Sequence, residues 1–191
     1  MSRIKRMGET MREMKISQEI LEQMDFNAST AGNNPLPTIA VINKMDEHLT
    51  DEQKYTVMAK EGCCKSGKPD KDCKAFGKEH ADKSFAEKLA LVHTVKNMMS
   101  PALNEDGSFT VTMSGHQNGV HRGRTTCSCG MIKKLKQPFT VSKTYCGCCA
   151  GHYLYHYQNM LDVKLKIKVI NSSPLDTDGE MPCQFTFEIV K

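Results

Sequence analysis

The stretch Val163-Lys164-Leu165-Lys166-Ile167-Lys168-Val169 alternates strictly between aliphatic and basic side chains. Neighbouring side chains on a strand point to opposite faces, so this pattern predicts a strand with one buried and one wet face. Cys183-Gln184-Phe185-Thr186-Phe187-Glu188-Ile189 repeats the pattern at the end of the chain. Both segments read as half-buried antiparallel strands. Between Tyr145 and Leu161 the alternation is missing, and that stretch reads as a helix entered through a run of thiols. Phe109, Val111 and Met113, spaced by Thr110 and Thr112, predict another strand, and Phe139-Thr140-Val141 a short one.

Upstream of Pro101 the period is helical. Ile4, Met7, Met11, Met14, Gln18 and Leu21 recur at spacings of three and four, which predicts one helix with a narrow apolar seam. That seam either docks on its own domain or pairs two copies as a homodimer. The breaker-rich run Asn27 to Pro37 marks a boundary, giving a helical arm over 1–30 and a single thiol-rich domain over 31–191. Thr38 is expected to cap a helix carrying Ile39, Ile42, Met45 and Leu49. Thr50-Asp51-Glu52-Gln53 has the form of a capping box for the next. Gly62 to Pro69 breaks that helix, and Lys65 to Asp72 reads as a solvated turn. Ser84 to Met98 is again helical, with Phe85, Leu89, Val92 and Val95 inward. The fold class is α+β: a helical N-terminal half followed by a small antiparallel sheet with a packed helix.

Composition narrows the function classes. The chain has 191 residues, 39% hydrophobic and 25% charged, as in an ordinary globular protein. Its 26 basic and 22 acidic side chains leave a net charge of +4. The basic residues are scattered, so a nucleic-acid footprint is not expected. No apolar run approaches the ~20 residues of a membrane helix. Met1-Ser2-Arg3-Ile4-Lys5-Arg6-Met7 leads into a charged helical pattern and not an apolar signal core, so a cytoplasmic location is expected. In that reducing compartment nine cysteines point to metal binding or reactive sulfur, and an odd number precludes complete intramolecular pairing.

The thiols fall in two sets. Cys63, Cys64 and Cys73, with His80 nearby, form a candidate structural zinc site; the plainer alternative is buried thiols beside a loop. Cys127-Ser128-Cys129 and Cys146-Gly147-Cys148-Cys149 are denser, punctuated by Gly130, Gly147 and Gly151. A metal is one reading of this second set, zinc ahead of an iron–sulfur cluster because no familiar cluster spacing is present. A reversible disulfide or a nucleophilic thiol is the other. Cys146, Cys148 or Cys149 would stand at a helix N-terminus, where the dipole and free amides favour thiolate. His152 and His156 share a helix face with Cys149 and are weaker ligand candidates.

A third group, Ser114 to Thr126, places His116, His121, Arg122 and Arg124 between glycines. Two imidazoles and two guanidinium groups suit an anionic or polar ligand. His116 or His121 could also serve as general base for a thiol, with Cys127 or Cys146 as nucleophile. A wet loop between strands is the plain alternative.

The last forty or so residues resemble the vinyl-reductase-type small-molecule-binding domain superfamily. Cys149-Ala150-Gly151-His152, a helix, the alternating strand and Leu175 to Phe185 carry the likeness. The closing motif of that superfamily is Glu-x-x-Cys-x-x-x-Gly-x-x-x-Cys-x-Phe, matched here at Gly179, Cys183 and Phe185. The family Glu falls on Ser172 and its middle Cys on Leu175, so two of the expected ligands are replaced. Cys149 and Cys183 stand at the positions of the family's helix and strand ligands. The helical N-terminal part and the scattered thiols also resemble the branch related to aminothiazoline-carboxylate hydrolase. The resemblance implies an apolar or aromatic ligand between helices and sheet. It also implies a zinc held by Cys149 and Cys183, completed from Cys127, Cys129, Cys146 and Cys148. The expected function is therefore a metal-binding small-molecule-binding or sensing module. The alternative is a thiol- or metal-dependent, hydrolase-like enzyme acting on a small polar substrate.

Overall fold

The computed structural model describes residues 1–31, 34–62, 65–113, 120–121, 124–125, 127, 129–130, 132 and 141–190. Six helices come first: α1 Arg3–Glu13, α2 Gln18–Glu22, α3 Leu36–His48, α4 Asp51–Lys60, α5 Gly67–Glu79 and α6 Phe85–Leu91. Strands β1 Pro101–Leu103 and β2 Phe109–Thr112 follow, then the two-residue strands β3 Val120–His121 and β4 Arg124–Thr125. Helix α7 Gly147–Leu161 and strands β5 Leu165–Ser172 and β6 Gln184–Ile189 complete the order. The fold is α+β. A four-stranded antiparallel sheet runs in the order β1-β2-β6-β5, and β3 pairs with β4.

The first helix is shorter than its seam suggests. Ser2 caps α1, accepting from the Lys5 amide, and Ile4, Met7 and Met11 are fully buried. Lys15 then adopts a left-handed backbone (φ 58°), which ends the helix before Gln18. The turn lets Ile16, Leu21, Met24 and Phe26 reach the same core that Ile4 and Met7 enter. The residues expected to form an arm therefore share one hydrophobic core with the rest of the described chain.

Other boundaries also move. Helix α3 begins at Leu36, with Pro37 in its first turn, so Thr38 lies inside the helix as a buried residue and not as its cap. A proline suits that place because the first amides of a helix have no intrahelical acceptor. Thr50 and Gln53 form the reciprocal capping box of α4. Ser84 and Glu87 form another at α6, which ends at Leu91 and not near Met98. Lys65 to Asp72 is not a solvated turn throughout: α5 starts at Gly67, whose φ is +76°. The i,i+4 pairs Lys68–Asp72 and Asp70–Lys74, each at 2.9 Å, fall on that helix.

The closing strands form where the alternation places them, with one change of face. Leu165 and Ile167 are buried, then the register slips between Ile167 and Val169 and again between Ile170 and Ser172. These bulges turn Ile170 inward in place of Val169. The inner face of the sheet meets α7 through aromatic rings. Phe109 lies 5.4 Å from Tyr157 and 5.5 Å from Phe187, and Tyr153 lies 6.3 Å from Phe185, centroid to centroid. Asp162, at φ 54°, ends α7, and Gln158 Oε1 accepts from the Leu165 amide at 2.8 Å to aim β5 back along the helix.

The opposite flank of α7 lies against α4 almost backbone to backbone. A Cβ on Gly151 would stand 2.4 Å from the Ala59 carbonyl oxygen, and one on Gly147 2.5 Å from the Met58 Cβ. Only hydrogen fits at these two positions while the helices keep this separation. Gly151→Ala is accordingly expected to lower stability by about 1–3 kcal/mol, the usual cost of overpacking, read as a lower urea midpoint. An unchanged midpoint would show that the two helices yield freely at this crossing.

Candidate functional site: a thiol cluster at the start of α7

Ser142 accepts from the Thr144 amide and opens a short 3-10 turn, Lys143–Cys146, that runs directly into α7. Thr144 Oγ1 donates to Asp46 on α3 at 2.7 Å, which fixes the turn. Cys146 is thereby the residue that caps α7, and Cys148 and Cys149 lie in its first turn. The first amides of a helix have no intrahelical acceptor and carry partial positive charge, so sulfur placed here lies in a field that favours anion.

The other thiols come from distant sequence. Cys183 directly precedes β6 and its carbonyl accepts from the Met113 amide at 2.9 Å. Cys127 and Cys129 lie between β4 and α7, with the Cys129 amide donating to Cys127 Sγ at 3.4 Å. Cys127, Cys146, Cys148 and Cys183 are buried, while Cys129 and Cys149 are partly exposed. Their charges are mutually felt: Cys127 interacts with Cys183, Cys129 and Cys148, and Cys146 with Cys183 and Cys127. No disulfide links the described cysteines. Among the described residues, no three His, Cys, Asp or Glu side chains are placed to hold a metal ion together.

One sulfur in the cluster differs in charge state. A hydrogen bond from the Cys149 thiol holds Cys148 down to about 6 against the opposing effect of burial, with the Arg3 guanidinium reinforcing it. Cys149, as the donor, is held protonated. Cys146 is raised by its hydrogen bond with Cys183 and by burial, although Ser173 Oγ at 2.9 Å moderates this. Burial pushes Cys127 up to about 12. At neutral pH Cys148 is a thiolate beside the protonated thiols of Cys127, Cys146 and Cys149. Of the expected nucleophiles, Cys127 and Cys146 are thus held as thiols, and the thiolate is Cys148.

Arg3 supplies the cation. Its guanidinium lies 5.2 Å from the centroid of the Tyr145 ring and 3.4 Å from the Tyr145 hydroxyl, with a side chain only 14% exposed. Burial works against that charge, but Cys148, Tyr145 and Glu61 keep its pKa above the ordinary arginine value. The Glu61 carboxylate is 1% exposed, 2.7 Å from Arg6 and 4.0 Å from Arg3 Nε. A buried carboxylate between two guanidinium groups is the paired arrangement that desolvated charges require.

Ser172 and Leu175 have structural roles. Ser172 Oγ donates to the Pro182 carbonyl at 2.7 Å, closing the loop that delivers Cys183. Leu175 is buried and its carbonyl accepts from the Val141 amide at 3.1 Å. Gly179 turns the same loop with φ +81°. His156 is fully buried and its ring centre lies 4.6 Å from that of His152 on the same helix.

Several expected residues lie apart or outside. Cys73 is buried on α5, where burial raises it to about 11, while Cys63 and Cys64 lie outside the described residues. His116 and Arg122 also lie outside them, and for His121 and Arg124 the backbone pairing of β3 with β4 is what is described. Arg3, Tyr145, Glu61 and Ser173 are site residues that sequence reasoning missed. Arg3 offers no local signal because it belongs to an amphipathic helix over 140 positions away; Glu61 ends a helix as an ordinary charged residue does.

The pH dependence follows from these shifts. Between about 6 and the ordinary thiol value, the folded chain holds Cys148 ionised while the unfolded chain keeps it protonated. The unfolded state then binds more protons, so stability rises with pH across that window and falls as pH drops through about 6. Above the ordinary thiol value the raised thiols act in the opposite direction, because only the unfolded chain ionises them. Ultraviolet thiolate absorbance of metal-free protein should show one group titrating near 6 that Cys148→Ser removes. Cys149→Ala and, to a lesser degree, Arg3→Met should raise that midpoint, by roughly one unit or more for the former. A midpoint indifferent to both substitutions would refute the assignment.

No helix of the described residues is long and apolar enough to cross a membrane. No protein-family model, curated protein or solved structure matches the chain.

Proposed function

We propose that this chain is a metal-binding module whose thiol cluster takes up a soft divalent cation, zinc by preference, and ties three separate segments together through it. The observation that carries this reading is the electrostatic interaction among Cys127, Cys146, Cys148, Cys149 and Cys183 around the start of α7, with Cys129 hydrogen-bonded to Cys127. No three of the described side chains hold an ion as they stand, so binding has to draw the sulfurs together. Six sulfurs supply more than the four ligands of a tetrahedral zinc site. A zinc bound by four thiolates carries a net charge of about −2. The α7 dipole and Arg3 are the countercharges that such a centre needs. Zinc would supply structural cross-linking, since the free energy of its binding becomes free energy of folding.

The chain's own groups set what happens to the protons. The thiol–thiol hydrogen bonds Cys148–Cys149 and Cys146–Cys183 each hold a proton between two sulfurs. Metal capture releases those protons, so affinity rises with pH. The resemblance of the C-terminal segment to a superfamily that includes zinc-bearing sensors supports the same choice of metal.

The lowered Cys148 favours a second reading, a reactive thiolate for a small electrophilic substrate. One experiment separates the two. Chain purified anaerobically is analysed for metals by elemental mass spectrometry, and its free thiols are counted on the same sample. The metal reading expects near one zinc per chain, about four thiols protected until chelator is added, and loss of zinc in Cys148→Ser and Cys183→Ser. Chelation should lower Tm by more than about 10 °C, given ~2–4 °C per kcal/mol for a chain of this size. Absence of metal, with every thiol titrating freely, would refute it and leave Cys148 as the group to test by alkylation.

A further inference from the structure

Two pairs of sulfurs in the cluster are joined thiol to thiol, Cys148 with Cys149 and Cys146 with Cys183. They differ in what their backbones allow. Cys148 and Cys149 are neighbours in the first turn of α7, with Cα atoms about 3.8 Å apart. A disulfide needs its Cα atoms about 4.4–6.8 Å apart, so this pair closes only if the helix opens. Cys127 and Cys129 meet through the backbone, the Cys129 amide donating to Cys127 Sγ at 3.4 Å.

Cys146 and Cys183 come from separate elements and flank one residue, Ser173. Cys146 Sγ is 2.9 Å from Ser173 Oγ. The β5–β6 register pairs Ser172 with Gln184, so the next residues along, Ser173 and Cys183, also lie opposite each other. Each of the three positions is held. Ser173 Oγ accepts from the Leu175 amide at 3.0 Å, and its carbonyl accepts from Thr177 Oγ1 at 2.7 Å. The Cys183 carbonyl accepts from the Met113 amide, and the turn that carries Cys146 is pinned to Asp46 through Thr144. Cys146 and Cys183 are each 2% exposed, so an oxidant that reaches them has to be small.

We propose that Cys146 and Cys183 form a redox modification site: a peroxide oxidises them to a disulfide that joins the cap of α7 to the start of β6 and expels the metal. The expulsion rests on the metal reading above; the disulfide does not. One sulfur, as thiolate, attacks a peroxide oxygen; the O–O bond breaks, a sulfenic acid forms, and the departing hydroxide takes a proton to become water. The second sulfur then attacks the sulfenic sulfur. The S–S bond forms, the S–O bond breaks, and the second thiol's proton leaves with the hydroxide as another water. Two thiols and one peroxide give one disulfide and two waters. A disulfide sulfur carries no charge, so the metal loses two of the six thiolates on which it draws. A dithiol reductant restores both.

The test treats the full chain, metal-free and zinc-loaded, with stoichiometric hydrogen peroxide, alkylates the remaining thiols and maps the tryptic peptides by mass spectrometry. Metal-free chain should lose two thiols, give one cross-linked species joining the Cys146 and Cys183 peptides, and return to its starting state with dithiothreitol. In the zinc-loaded sample a chromogenic chelator should report zinc release in step with that cross-link. Cys146→Ser and Cys183→Ser should each abolish the cross-link and Cys149→Ala should retain it, with circular dichroism verifying that each variant is folded. The wild-type map stands whether or not the variants fold. A different disulfide, or sulfinic acids without any disulfide, would overturn the proposal. The expected cross-link with zinc retained would overturn the expulsion. A chain that takes up no zinc yet forms the cross-link would refute the metal reading and support the disulfide site.

Discussion

The close crossing of α7 on α4 is the constraint from which the site follows. Gly147 and Gly151, one turn apart, let the two backbones meet where any side chain would force them away. That contact sets the N-terminus of α7 against the segment that ends in Glu61, and α1 packs on α4 beside it. Arg3 can therefore extend over Tyr145 to Cys148 from the far end of the sequence. Moving α7 out by the width of a methyl would loosen the guanidinium from the thiol and expose a buried carboxylate, so packing and electrostatics are not separable here.

The fold class is legible because its signals are local. The Leu165–Lys166–Ile167 alternation and the Thr50–Gln53 capping box need no partner to be recognised, and both are present. The errors arise where a distant contact overrides a local pattern. Lys15 takes a left-handed conformation so that Ile16 and Leu21 can enter the core, which splits a continuous apolar seam in two. Two bulges exchange Val169 for Ile170 on the buried face, and period alone carries no mark of them. Lys65 to Asp72 looks like a solvated turn from composition, yet its charges pair at helical spacing on α5.

The candidate site is legible in half. Thiol density pointed to the start of α7, where the structure places Cys146, Cys148 and Cys149. Composition cannot show which sulfur is ionised, because that depends on a hydrogen bond from Cys149 and a cation from another helix. The roles of Ser172 and Leu175 likewise become visible only in three dimensions. Ser172 closes the loop that carries Cys183 and Leu175 fills the core beneath it, so the loop is held by packing and hydrogen bonds in place of ligands.

A cluster of buried thiols has an electrostatic limit that bears on what it can do. Burial holds Cys127 near 12, with the neighbouring sulfurs adding to it, while the Cys149 hydrogen bond brings Cys148 down near 6. Each further thiolate therefore has to form in a desolvated place beside an existing one. Arg3 and the helix dipole suffice for a single negative charge. Ionising three more sulfurs requires positive charge at the centre of the cluster itself, and a divalent cation is the smallest species that delivers it. A lone nucleophile would be a wasteful use of six cysteines, since five of them would contribute burial and little else. The cost of assembling so much sulfur in one desolvated place is offset only when the sulfurs act together.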